Sequence, residues 1–189
     1  MKDVLQLLAG VIGVLCYVPL IIGILRSTIE QSFVAFALWA LLDIIATLTS
    51  ILADGNYWLP LSNALGASIV ALLLATKKQV KWTWVETSTA ILVVTCLVLW
   101  STLGESAGIV ASSLAVVVAS IPQMVDTYKK PNTTPTLVYL AFLFANILSF
   151  LAGKSWTIEE RFYSACAIFL CLVISIFSLR RIADKSPTA

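Results

Sequence analysis

Seven apolar stretches, at residues 4–26, 33–53, 59–76, 87–104, 107–128, 136–153 and 162–179, take up most of this 189-residue chain. Each is close to the roughly 20 residues that a helix needs to cross a bilayer core about 30 Å thick. Inside lipid every backbone N–H and C=O must be satisfied within its own segment, so stretches of this length specify helices. The expected fold is an all-α membrane protein of seven transmembrane helices. The connections are short, and Asp54-Gly55-Asn56 and Lys130-Pro131-Asn132 carry turn residues. Trp58, Trp82, Trp84 and Trp156 stand near the ends of stretches, where interfacial aromatic residues collect. The first stretch shows no small-residue cleavage pattern and is longer than a signal-peptide core, so it is expected to be retained.

The rest of the composition narrows the chemistry. Hydrophobic residues make up 60% of the chain and charged ones 12%, outside the usual mix of a soluble domain. A net charge of +2 gives no broad basic field for nucleic acid. Histidine is absent, which removes the commonest general base and metal ligand. Cys16, Cys96, Cys166 and Cys171 all lie within apolar stretches, where a thiol serves as small apolar filler. No disulfide framework, metal site or cofactor is expected. With no paired carboxylates and no activated nucleophile to name, neither is an enzyme. A retinal protein would need a lysine in the last helix, and 162–179 has none.

Orientation follows from Lys and Arg, which short cytosolic loops retain. Arg26, Lys77, Lys78, Lys81, Lys129, Lys130, Arg180, Arg181 and Lys185 fall on one face, against Lys2, Lys154 and Arg161 on the other. This places the N-terminus outside and the C-terminus in the cytosol, in the plasma (inner) membrane.

Placing Pro19 on Pro122, an offset of 103 residues, brings out an internal repeat. Arg26 then falls on Lys129, Phe36 on Tyr139, Trp39 on Phe142, Asp43 on Asn146, and Lys77-Lys78 on Arg180-Arg181. Matches between rare residues carry this; Leu on Val would not. A three-helix unit that starts outside ends inside, so a second copy in the same orientation needs one extra crossing. The expected organisation is 3+1+3, with a first unit in 1–78, a linker helix in 79–104 and a second unit in 105–189. Parallel repeats of this kind are a transporter plan, with the substrate site near the midplane between them.

Asp43 sits near the middle of its stretch, where an Asp costs roughly 2.5–3.5 kcal/mol on insertion. Trp39, Asp43, Thr47 and Ser50 share one helical face, and Tyr139, Phe142, Asn146 and Ser149 repeat the pattern in the sixth stretch. Two stripes, each with an aromatic ring one turn from a polar group, suit a small polar solute: the ring offers a flat apolar surface and the amide or carboxyl directed hydrogen bonds. The same groups could instead bond neighbouring helices, at about 0.6 kcal/mol apiece. Pro19 and Pro122 each delete one backbone bond in matched helices and are candidate hinges. Gln123 is placed to bond a carbonyl freed by such a break.

Ile121-Pro122-Gln123, followed by Lys129, Lys130, Thr133, Thr134, Pro135 and then Phe142 to Asn146, resembles the signature of the PQ-loop superfamily, which includes the SWEET sugar transporters. The first repeat has Pro19-Leu20 in place of the Pro-Gln pair and Ser32 in place of Pro135. Asn63 and Gly66 resemble the family's asparagine and glycine on a pore-lining helix, although the offset puts Cys166 where the second asparagine would be. The resemblance implies a carrier, with sugar as the solute class, and adds Asn63 to Trp39, Asp43, Phe142 and Asn146 as candidate binding residues. An amino acid or vitamin carrier, coupled to protons or not, and a receptor or assembly protein that binds without transporting remain open. The expected partners are the lipid bilayer, the solute and further copies of the chain.

Overall fold

A computed structural model describes residues 1–26, 33–76, 84–129 and 136–183. Ser32, Lys77, Lys78, Lys81, Trp82, Lys130, Pro131, Asn132, Thr133, Thr134, Pro135 and Lys185, all singled out above, lie outside the described residues. Among the described residues the regular secondary structure is all helix: α1 (Lys2–Cys16), α2 (Val18–Leu25), α3 (Phe33–Leu52), α4 (Trp58–Thr76), α5 (Trp84–Leu103), α6 (Glu105–Ala119), α7 (Ile121–Lys129), α8 (Thr136–Ala152) and α9 (Ile158–Ala183). Five lengths are long and apolar enough to cross a membrane: Lys2–Leu25, Phe33–Leu52, Trp58–Thr76, Glu105–Lys129 and Ile158–Arg180. Thr87–Leu103 and Thr136–Ala152 are apolar but shorter. Several long apolar helices in one chain are what an integral, multi-pass membrane protein requires.

Two of the stretches that read as single helices are each broken once. At Tyr17, between α1 and α2, the backbone N–H turns back to the Val14 carbonyl at 3.0 Å instead of continuing the α pattern. Between α6 and α7 the Ser120 N–H is shared by the Val116 and Val117 carbonyls, both at 3.1 Å. A proline follows two residues after each break, at 19 and at 122, and its missing N–H removes the bond that would hold the turn straight. Tyr17 and Ser120 are themselves separated by the 103-residue offset.

The helices pack in two clusters. α1 and α3 both pack on α4, and α6 and α8 both pack on α9. Across the clusters, α1 meets α8 and α3 meets α6, while α5 lies against α6 and α3. Close approach depends on small residues, because in lipid packing rather than the hydrophobic effect draws helices together. A Cβ at Gly13 would strike Ser62 Oγ, and one at Gly66 would strike the Tyr17 ring. Leu38, Leu42 and Ile45 of α3 form one apolar core with Val93, Cys96 and Ala115. Ile24, Phe36, Val70 and Leu74 belong to another. On the opposite face of α3, Leu41, Ile44, Leu48 and Ile51 are exposed, which is the composition acyl chains would meet.

Candidate functional site

The two polar stripes face one space. A cavity of about 130 Å³ is lined by Trp39 and Asp43 of α3, Asn63 of α4, and Phe142 and Asn146 of α8. Gln123 of α7 also lines it. The five residues singled out for solute binding thus surround a single space, with Asp43 only 4% exposed and Asn146 1%. Thr47, Ser50 and Ser149 of the stripes do not line it. Thr47 bonds back to the Asp43 carbonyl at 2.7 Å, and Ser149 joins the network at the N-terminal end of α9.

The polar groups at the cavity are wired in a fixed direction. Tyr163 of α9 donates its O–H to Asp43 Oδ1 at 2.7 Å. Asn63 Nδ2 in turn donates to the Tyr163 oxygen at 2.8 Å. Asn146 Nδ2 donates to the Phe142 carbonyl at 2.7 Å and lies 3.8 Å from Cys171 Sγ. Among the described residues Asp43 and Asn146 do not bond each other, while Asp43 is tied to a different helix, α9, through Tyr163. Asn63 uses one of its two amide N–H groups on Tyr163, and the buried Asn63 and Asn146 Oδ1 atoms have no hydrogen-bond partner among the described residues.

The walls are aromatic. Besides Trp39 and Phe142, the cavity is lined by Tyr17, Phe36, Tyr139 and Tyr163. Tyr17 meets Phe142 edge-on with centroids 5.1 Å apart, and Phe36 meets Trp39 in the same way at 5.1 Å. Gly66 is what lets the Tyr17 ring lie against α4. Tyr163 was the residue that repeat matching could not find, because the offset sets it against Pro60. The available signal was a tyrosine in an apolar stretch, whose hydroxyl must find a partner when buried.

The candidate hinge residues sit differently. Pro19 is exposed and does not line the cavity. Pro122 is the second residue of α7. Gln123 does not reach back to a freed carbonyl; its amide goes forward to Thr127 Oγ1 at 3.3 Å, while the Thr127 hydroxyl donates to the Gln123 carbonyl at 2.8 Å. One turn further along the helix is the nearer partner.

The end of the bundle that carries the N-terminus of α1 is tied shut. Asn56 Nδ2 donates to Ser149 Oγ at 3.0 Å, and Ser164 donates to the same Ser149 oxygen at 2.9 Å. Gln6 bonds Glu160 at 2.8 Å, the Asn56 N–H bonds the Glu159 carbonyl at 3.1 Å, and Ser106 bonds the Glu159 carboxylate at 2.5 Å. Lys2 reaches the Gly153 carbonyl at 2.9 Å, and Arg161 bonds the carbonyls of Phe150, Gly153 and Ser155. The basic residues of this face therefore satisfy carbonyls left open where α8 ends, the negative end of its dipole. Lys154 pairs with Asp3 at 2.5 Å, and that carboxylate holds the Lys154 ammonium pKa above its ordinary value. Both partners are exposed, so the pair contributes little.

Among the described residues no three carboxylates or thiols stand close enough to hold a metal ion. Compared with family models, with curated proteins and with solved structures, the chain matches none.

Proposed function

We propose that this chain is a membrane carrier for a small polar solute, working by alternating access between two three-helix units. In this reading α1 to α4 form the first unit, α5 links, and α6 to α9 form the second. The observation that carries it is the aromatic-walled polar cavity on the boundary between the two units, with a buried carboxyl and a buried amide at offset-matched positions. The packing supports the two-unit plan: exchanging each helix for its counterpart turns the α1–α8 contact into the α6–α3 contact, and both occur. The matched breaks at Tyr17 and Ser120 support units that flex at equivalent places. The network at one end supports a state closed on that side, which the charge bias assigns to the outside.

No catalytic residue is assigned, and the PQ-loop resemblance makes a sugar the first solute class to test. A second class, an amino acid or another amine-bearing solute, is favoured by the lone carboxyl of Asp43. The test is reconstitution of the full chain into liposomes and measurement of counterflow for labelled sugars and amino acids. The expected result is saturable exchange that falls at least tenfold in Trp39→Ala and Asn146→Leu proteins of unchanged folding. Binding without exchange would assign a receptor instead.

A further inference from the structure

Between the cavity and the end that carries the N-terminus of α1 lies a buried apolar layer. Ala46 of α3, Leu59 of α4, Ala145 of α8 and Tyr163 of α9 pack together there, with Ile12 of α1 against them. Ala46 stands roughly one turn beyond Asp43 along α3, and Ala145 adjoins Asn146 on α8. About one turn past Asn146, Ser149 holds the bonds to Asn56 and Ser164 that close this end. A solute leaving the cavity toward that face has to cross both levels.

Among the described residues Tyr163 alone belongs to this layer and also lines the cavity. It is 6% exposed, and a phenol hydroxyl buried in apolar surroundings needs a partner. It has two. The hydroxyl donates to Asp43 Oδ1 on α3 at 2.7 Å and accepts from Asn63 Nδ2 on α4 at 2.8 Å. In the carrier reading above, on which this inference rests, α9 belongs to one three-helix unit and α3 and α4 to the other. Apolar contact is non-directional, whereas a hydrogen bond is lost once donor and acceptor part by much more than about 3.2 Å. Rocking the units apart at this level has to break the Tyr163 bonds.

We propose that Tyr163 is the latch of the transport cycle: its bonds to Asp43 and Asn63 hold the cavity closed toward the face of the α1 N-terminus, and their loss lets that face open. The role is one of positioning, because the hydroxyl holds the two units in register. Asp43 then serves on one carboxyl as cavity wall and as latch acceptor. A solute that donates to Asp43 acts on the same group that keeps this end shut.

The test reads access to Cys171, which lines the cavity, in the full chain with its other cysteines replaced by Ala and held in sealed vesicles of known orientation. A membrane-impermeant maleimide is applied to one face or, in separate samples, to the other. Tyr163→Phe keeps the ring in the apolar layer and removes only the hydroxyl, while Asp43→Leu removes the acceptor. Each is expected to raise the Cys171 rate at least about fivefold from the face of the α1 N-terminus and to lower it from the opposite face, because a latch shifts a population between two states. Asp43→Asn keeps an acceptor oxygen and should stay within about twofold of the parent from both faces. Melting curves report whether each variant folds. An equal rise from both faces would mean that the hydroxyl only firms the bundle, and unchanged rates in either Tyr163→Phe or Asp43→Leu would mean that the pair holds nothing shut; each result overturns the latch. Saturable liposome exchange by the native chain, together with unchanged rates in Tyr163→Phe, overturns the latch and keeps the carrier reading. A one-sided rise in a chain that exchanges none of the labelled sugars or amino acids keeps the latch and overturns the carrier reading.

Discussion

Asn56 and Ser149 lie 93 residues apart and are joined twice, by the Asn56 amide donating to the Ser149 hydroxyl at 3.0 Å and to its carbonyl at 3.3 Å. Asn56 belongs to the turn after α3 and Ser149 to α8, so the bond ties the first half of the chain to the second at the end where Gln6 also meets Glu160. At the opposite end Arg180 stacks over Tyr128 at 4.3 Å, a contact within the second half.

If this contact is part of a gate, loosening it should open that side. A hydrogen bond contributes about 1 kcal/mol net, so losing two shifts a two-state equilibrium by roughly tenfold or more. Cys171 lines the cavity and reports on access when Cys16, Cys96 and Cys166 are replaced by Ala. In sealed vesicles, Asn56→Ala should raise the rate at which a membrane-impermeant thiol reagent, added on the side of the α1 N-terminus, modifies Cys171. An unchanged rate would show that the contact is structural only.

The Asn63, Tyr163 and Asp43 chain predicts a stability effect. Tyr163→Phe removes the proton that Asp43 accepts and the oxygen to which Asn63 donates, leaving both groups buried and short of a partner. The expected loss is about 1–3 kcal/mol, or roughly 3–10 °C in melting temperature for a chain of this size. Because the residues act in one chain of bonds, adding Asn63→Ala to Tyr163→Phe should cost less than the sum of the single changes. Additive losses would mean that the bonds act independently.

These residues also mark where the sequence could be read and where it could not. Asp43 and Asn146 were legible because polar groups are costly in an apolar stretch and because two such residues share the repeat offset. Asn63 rested on resemblance, and its offset partner Cys166 does not line the cavity. Tyr163 breaks the repeat, so no internal comparison could point to it, although it is the group that bonds both Asp43 and Asn63. The helix breaks at Tyr17 and Ser120 were foreshadowed by Pro19 and Pro122, but the backbone turns two residues earlier because a proline disturbs the turn N-terminal to itself.

Helix spacing gives a prediction independent of any ligand. A side chain at Gly13 would strike Ser62 Oγ, with Leu59 Cδ1 at 3.3 Å and Ser62 Cβ at 3.4 Å next nearest. Gly13→Ala should therefore push α1 from α4 and destabilise by about 1–3 kcal/mol, as overpacking does. Ser62→Ala removes the oxygen that is struck, at the loss of a bond to the Leu59 carbonyl of 2.9 Å. The double variant should melt above Gly13→Ala alone. If Ser62→Ala gives no recovery, the close approach of α1 and α4 at this point is wrong.

The last prediction concerns Asp43 and proton coupling. Among the described residues its carboxyl is the only one lining the cavity, with Tyr17, Tyr139, Tyr163 and Cys171 the other titratable groups on the wall. A carrier that moves a proton with its solute must change protonation at a group both buried and reachable from the cavity, and intramembrane carboxyls form the proton relays of many carriers. Asp43→Asn keeps the shape, still accepts the Tyr163 proton through its carbonyl oxygen, and cannot exchange a proton. Flux in liposomes should then follow an imposed pH gradient in the native chain and ignore it in Asp43→Asn, while solute exchange without a gradient continues at a measurable rate. Loss of all exchange together with loss of binding would place Asp43 in solute recognition instead of coupling. The same response to the gradient in both proteins would show that the carboxyl carries no proton at all.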